Sequence, residues 1–163
     1  MPDDEKLIDE KWKRYPQTIL EFAPPDRLRI DLRRPLGAPE RAILASLGLD
    51  RPFAVLTAEN PMGENAEDEP TPEQEAETER RNAARRTELD AQLRKSGAEF
   101  QPCDGVAADG EYREHGVAVI LPRDQAVMLA RRFGQLAIFW FDGRAFMLVG
   151  AVARKPPEKL PRR

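Results

Sequence analysis

Cysteine and histidine each occur once in the 163 residues, as Cys103 and His115. A lone cysteine cannot close an internal disulfide, and one cysteine with one histidine cannot assemble a four-ligand structural zinc site, so no metal site is expected. A thiolate and base built from Cys103 and His115 is still countable, although cysteine more often behaves as a small buried hydrophobe. Long apolar runs are missing too. No window approaches the roughly 18 to 20 apolar residues that a membrane span needs, so no membrane partner is expected. The opening MPDDEKLIDEKWKRY is charged throughout and holds no apolar segment, so no secretory leader is expected and the cytoplasm is the default compartment. There is no basic excess either. With 26 basic against 29 acidic residues and a formal net charge of -3, the balance argues against a nucleic-acid binder, which needs basic surface to neutralise phosphates.

What is present suits one domain. Hydrophobic residues make up 40%, enough for a packed core, while 34% charged residues and 15 prolines imply stretches outside it. Residues 1–14 read as a charged N-terminal segment and 15–153 as a single α+β domain containing an acidic loop at 62–72. Residues 154–163 read as a basic, proline-rich tail expected to be disordered.

Within the domain, Thr18 to Phe22 and Arg27 to Leu32 alternate about Pro24-Pro25-Asp26 and predict a hairpin. Pro39 to Leu47 predicts a short helix closed by Gly48. The run Phe53 to Ala58 is almost wholly apolar and too short for a helix, which points to a buried strand ending at Asn60-Pro61. Thr71-Pro72-Glu73-Gln74 fits a capping box, so a helix is predicted from Pro72 towards Ser96, with Gly97 beyond it. Ala98 to Cys103 and Glu114 to Leu121 predict strands joined through Ala108-Asp109-Gly110. A helix with Ala126, Leu129, Ala130 and Phe133 at helical spacing follows, and a last hairpin crosses Asp142-Gly143.

From Phe53 onward the order is strand, helix, strand, strand, helix, strand. That is the split βαβ pattern of a ferredoxin-like two-layer sandwich, here with an added N-terminal hairpin and helix and a C-terminal hairpin strand. If successive elements reverse direction, Asn60, Cys103, Glu114, His115 and Gln135 collect at one edge of the sheet. Asn82 continues the helical stripe of Arg86, Leu89 and Leu93 and reaches the same edge. Buried amides need hydrogen-bond partners, so Asn60, Asn82 and Gln135, with Arg86 for an anionic group, are candidate ligand-binding residues, and Glu114 is a candidate acid or base.

The stretch from about Tyr15 to Val149 also resembles a bacterial family, domain of unknown function 3293 (DUF3293). The resemblance rests on Thr57-Ala58-Glu59-Asn60-Pro61, on Arg80-Arg81-Asn82, on Gly105 with Asp109-Gly110-Glu111-Tyr112-Arg113-Glu114, and on Phe133-Gly134-Gln135-Leu136-Ala137-Ile138-Phe139. The chain departs from the pattern with Tyr112 where tryptophan is usual and with His115-Gly116 after the glutamate. No activity or cofactor comes with the resemblance. Three function classes follow: a domain binding a polar or anionic small molecule, an enzyme using Glu114 as general acid or base, and a docking module using the acidic loop or basic tail.

Overall fold

The structure is a computed structural model and describes residues 2–22, 28–61 and 69–162. Its elements are helix α1 (Pro2–Arg14), strands β1 (Ile19–Phe22) and β2 (Leu28–Asp31), helix α2 (Ala38–Ser46), strand β3 (Phe53–Thr57) and helix α3 (Pro72–Ser96). Strands β4 (Phe100–Val106), β5 (Arg113–Glu114) and β6 (Gly116–Val119), helix α4 (Arg123–Arg132), and strands β7 (Ala137–Phe141), β8 (Phe146–Gly150) and β9 (Glu158–Lys159) complete the chain. The strands form one sheet in the order β2-β1-β4-β6-β3-β7-β8-β9, with β5 paired to β4, and every pairing is antiparallel.

Local chemistry explains most boundaries. The Thr71 hydroxyl accepts the Gln74 N–H and the Gln74 side chain accepts the Thr71 N–H, which satisfies two of the orphan donors at the start of α3. Gly97 ends the same helix in the left-handed conformation. Asp142 turns the β7–β8 hairpin by accepting the N–H groups of Arg144 and Ala145. The turn expected at Pro24-Pro25-Asp26 and most of the acidic loop lie outside the described residues.

The α+β expectation holds as a mixed structure that has, among the described residues, four α-helices and a curled antiparallel sheet, a half-barrel. The two-layer picture needs correction, because both faces of the sheet are buried. On β3, Ala54 and Leu56 pack against Leu89 and Leu93 of α3 and Ala126 and Ala130 of α4. Phe53 and Val55 point the other way, into a core with Phe22, Phe141 and Phe146 that Trp12 of α1 and Leu44 of α2 help to close. Pairing of β1 with β4 extends the sheet, and a twisted sheet of this width curls around its own side chains. At roughly 1.5–3 kcal/mol for each large apolar side chain buried, this second core matters as much to stability as the first.

Residues within 1–14, read above as a charged segment, form α1, whose Ile8 and Trp12 pack on the second core together with Tyr15 of the short 3-10 turn Tyr15–Gln17 that follows. The tail expected to be disordered forms β9 instead, with Leu148 and Met147 of β8 opposite Glu158 and Lys159 and with Leu160 buried. Among the described residues, no helix is long and apolar enough to cross a membrane.

Candidate functional site

The chain leaves β3 through Thr57-Ala58-Glu59-Asn60-Pro61, and the other polar residues at this edge bond to that segment. Asn60 has φ 47, in the left-handed region that asparagine tolerates better than most side chains. The following proline restricts it further, so the conformation has to be held from outside. Asn82 on α3 holds it: its Oδ1 accepts the Asn60 N–H at 3.0 Å and its Nδ2 donates to Asn60 Oδ1 at 3.0 Å. Gln135, after α4, donates from Nε2 to the carbonyl oxygen of Glu59 at 2.8 Å. Gly134 before it has φ 64, and a Cβ there would lie 2.8 Å from Pro61 Cβ, so backbone conformation and close packing both require glycine.

Glu59, which sequence reasoning passed over, is the buried centre of this knot. One carboxylate oxygen accepts the His115 N–H at 2.6 Å and the other pairs with Arg86 at 2.5 Å. Arg86 also reaches Glu79 at 2.9 Å. The position expected to meet an anionic ligand is therefore engaged by two carboxylates of the chain itself. Thr57 completes the knot, donating its hydroxyl to the His115 carbonyl at 2.7 Å.

The structure thus brings Asn60, Asn82, Arg86, Glu114 and Gln135 to one edge, with their polar groups directed at one another and at backbone. Two open depressions formed by the described residues, of about 570 and 630 Å³, are not lined by the three amides.

Glu114 differs from the amides. Asn60 Nδ2 donates to its Oε1 at 3.2 Å and to the Tyr112 hydroxyl at 2.9 Å, and that hydroxyl donates to the same Oε1 at 2.5 Å. Tyr112 remains 46% exposed. Burial raises the Glu114 carboxyl above the ordinary glutamate value; the Tyr112 and Asn60 hydrogen bonds oppose the rise and the Glu59 charge adds to it. Burial, then the Glu114 charge, pushes the Tyr112 phenol far up. At neutral pH the phenol is therefore a donor.

Because side chains alternate along a strand, Arg113 and His115 point away from Glu114. They meet Glu21 and Asp104, two buried acids that sequence reasoning also missed. Arg113 donates to Asp104 at 2.8 Å and to both carboxylate oxygens of Glu21 at 3.2 and 3.3 Å. The Arg113 hydrogen bond holds Glu21 below the ordinary glutamate value against burial, with help from Arg29. Here guanidinium replaces amide and phenol, and the proton affinity falls.

The thiolate–imidazole arrangement is ruled out by the same alternation. The β4–β5 register places His115 beside Asp104, and His115 Nδ1 lies 3.2 Å from Asp104 Oδ2. Cys103 is fully buried on the opposite face, where desolvation raises its thiol well above the usual range. Among the described residues no group of three His, Cys, Asp or Glu is placed to hold a metal ion.

No curated protein and no solved structure matches the chain. A family model does match residues 56–138, the span that runs from β3 through the Asn82 and Glu114 segments to the Gln135 box, and on that match the chain belongs to the family described as protein of unknown function, DUF3293.

Proposed function

We propose that the domain binds a small polar molecule at Glu114 and Tyr112, with Asn60 as the residue that positions both. The observation carrying this reading is the Asn60–Tyr112–Glu114 cluster itself: a carboxyl with raised proton affinity, bonded through one oxygen, beside a half-exposed phenol. Backbone strain at Asn60 supports it, since strained residues held by their surroundings concentrate at functional sites. Asn82, Arg86 and Gln135 form the frame behind the cluster. With Arg86 engaged by Glu59 and Glu79, the ligand chemistry favoured is a neutral or cationic hydrogen-bonding group.

A raised carboxyl next to a phenol also suits proton transfer, which keeps a second reading in which Glu114 is a general acid or base. A thermal-shift screen of polar metabolites separates the two. Under the binding reading, hits stabilise wild type in proportion to ligand concentration and lose their effect in Glu114→Gln and Tyr112→Phe. If Glu114→Gln keeps binding and loses turnover of the same compound, the enzyme reading replaces it. If no compound distinguishes wild type from either variant, both fail.

The strand order β4-β6-β3-β7, with α3 and α4 on one face, supports reading this part of the domain as ferredoxin-like. A reduced, buried Cys103 is in keeping with a cytoplasmic setting. The docking reading is disfavoured, because its tail segment is held against β8.

A further inference from the structure

We propose a second site, independent of Glu114, in the open depression of about 570 Å³ between α3 and the β4–β6 hairpin, built for a small zwitterion with an apolar body, the chemistry of a free aromatic amino acid. Its wall on α3 carries Asp90 and Arg94, four residues apart and so on one face of the helix. Neither forms an ion pair among the described residues. Arg94 lies instead over the Phe100 ring, 5.8 Å from its centroid. Two unlike charges left unpaired at one concavity are complementary to a ligand carrying both signs, and a single charge would meet one partner and one repulsion. Phe100, Pro102 and Val117 supply an apolar floor for the rest of such a ligand.

The far rim is His115, whose side chain is 54% exposed. Asp104 fixes its ring. Asp104 Oδ2 accepts from Arg113 at 2.8 Å as well as facing His115 Nδ1 at 3.2 Å, and a carboxylate oxygen only accepts. Nδ1 therefore carries the proton, and in the neutral ring Nε2 is left as an acceptor for a ligand ammonium or hydroxyl. Asp104 is itself 7% exposed and held by Arg113, so the imidazole is oriented by a group that cannot swing away.

His115 is the chain's single histidine, so its Cε1–H signal in the NMR spectrum of the untagged protein is an unambiguous reporter. Titration with phenylalanine is expected to move that signal to saturation, with at least about tenfold weaker binding of 3-phenylpropionate and of phenethylamine, each of which lacks one charge. Arg94→Ala and Asp90→Asn are exposed or half-exposed changes that should leave the melting temperature in place and each weaken phenylalanine binding by about tenfold. Glu114→Gln should leave it unchanged. The proposal is overturned by no saturable shift up to about 10 mM phenylalanine, by equal binding of the singly charged analogues, or by loss of binding in Glu114→Gln, which would move the ligand to the other face.

Discussion

Residues 112 to 115 present two acid environments back to back. On one face Glu114 is bonded by a phenol and an amide, and desolvation wins, so its carboxyl holds its proton more tightly than usual. On the other face Glu21 exposes even less surface, yet its carboxyl is held below the usual value because Arg113 and Arg29 bring hydrogen bonds and positive charge. Desolvation is the largest cause at Glu114 and the Arg113 hydrogen bond the largest at Glu21, so the charge of the donor separates them together with desolvation: a guanidinium compensates a buried carboxylate and neutral donors do so only in part. A folding core wants the second arrangement, and a binding or proton-transferring group is suited by the first.

The largest expected effect comes from taking the cation away. Arg113→Ala leaves Glu21 and Asp104 buried with little compensation and should cost about 3 kcal/mol at neutral pH, read by urea denaturation; partial exposure of Arg113 keeps the loss at the low end for a broken buried pair. The variant should also lose less stability than wild type on acidification. A carboxylate with lowered folded pKa stabilises above its unfolded pKa and ceases to do so as pH falls through the folded value, and the variant no longer has that contribution. Equal acid-side slopes in the two proteins would break the comparison.

Asn82→Ala comes next, at about 2 kcal/mol, because the buried Asn60 N–H and Oδ1 both lose their partner. Asn82→Asp sharpens the test. It can still accept from the Asn60 N–H but cannot donate to Oδ1, and should recover part of the loss. A surface-like change under about 0.5 kcal/mol in Asn82→Ala would mean that the left-handed turn at Asn60 holds itself.

Glu114→Gln is the smallest. Glutamine resembles the protonated acid, so near pH 4 the variant should match wild type. Wild type has a raised folded pKa: its stabilisation by Glu114 is present below the unfolded pKa and is lost as pH rises through the folded value. By pH 8 the variant should be equal to or more stable than wild type by up to about 1 kcal/mol, measured by denaturation across that range. A variant that grows relatively weaker as pH rises would contradict the assigned direction.

The sequence made the edge readable because its signals there are local. Helical spacing put Asn82 in line with Leu89 and Leu93 and against Asn60, the capping box started α3, and reversal of direction brought Gln135 to the Glu59 carbonyl beside it. What spacing could not show was how these groups would be satisfied. Glu59 and Glu21 read as ordinary surface acids, because their partners Arg86 and Arg113 lie 27 and 92 residues away along the chain. The N-terminal helix and the turn after it carry a usable signal in Ile8, Trp12 and Tyr15, masked by the charge around them. The tail had almost none: a single leucine, Leu160, anchors it, and one apolar residue has no period. The amide cluster itself was anticipated as a cavity lining and is found as a closed network, since each asparagine provides what the other needs.

Site-resolved carboxyl titration tests the central claim most directly. Following the side-chain carboxyl carbons of Glu114 and Glu21 by NMR from acid to neutral pH, the account predicts that Glu114 ionises above the ordinary glutamate range and Glu21 below it. Coincident midpoints, or Glu21 ionising after Glu114, would contradict it.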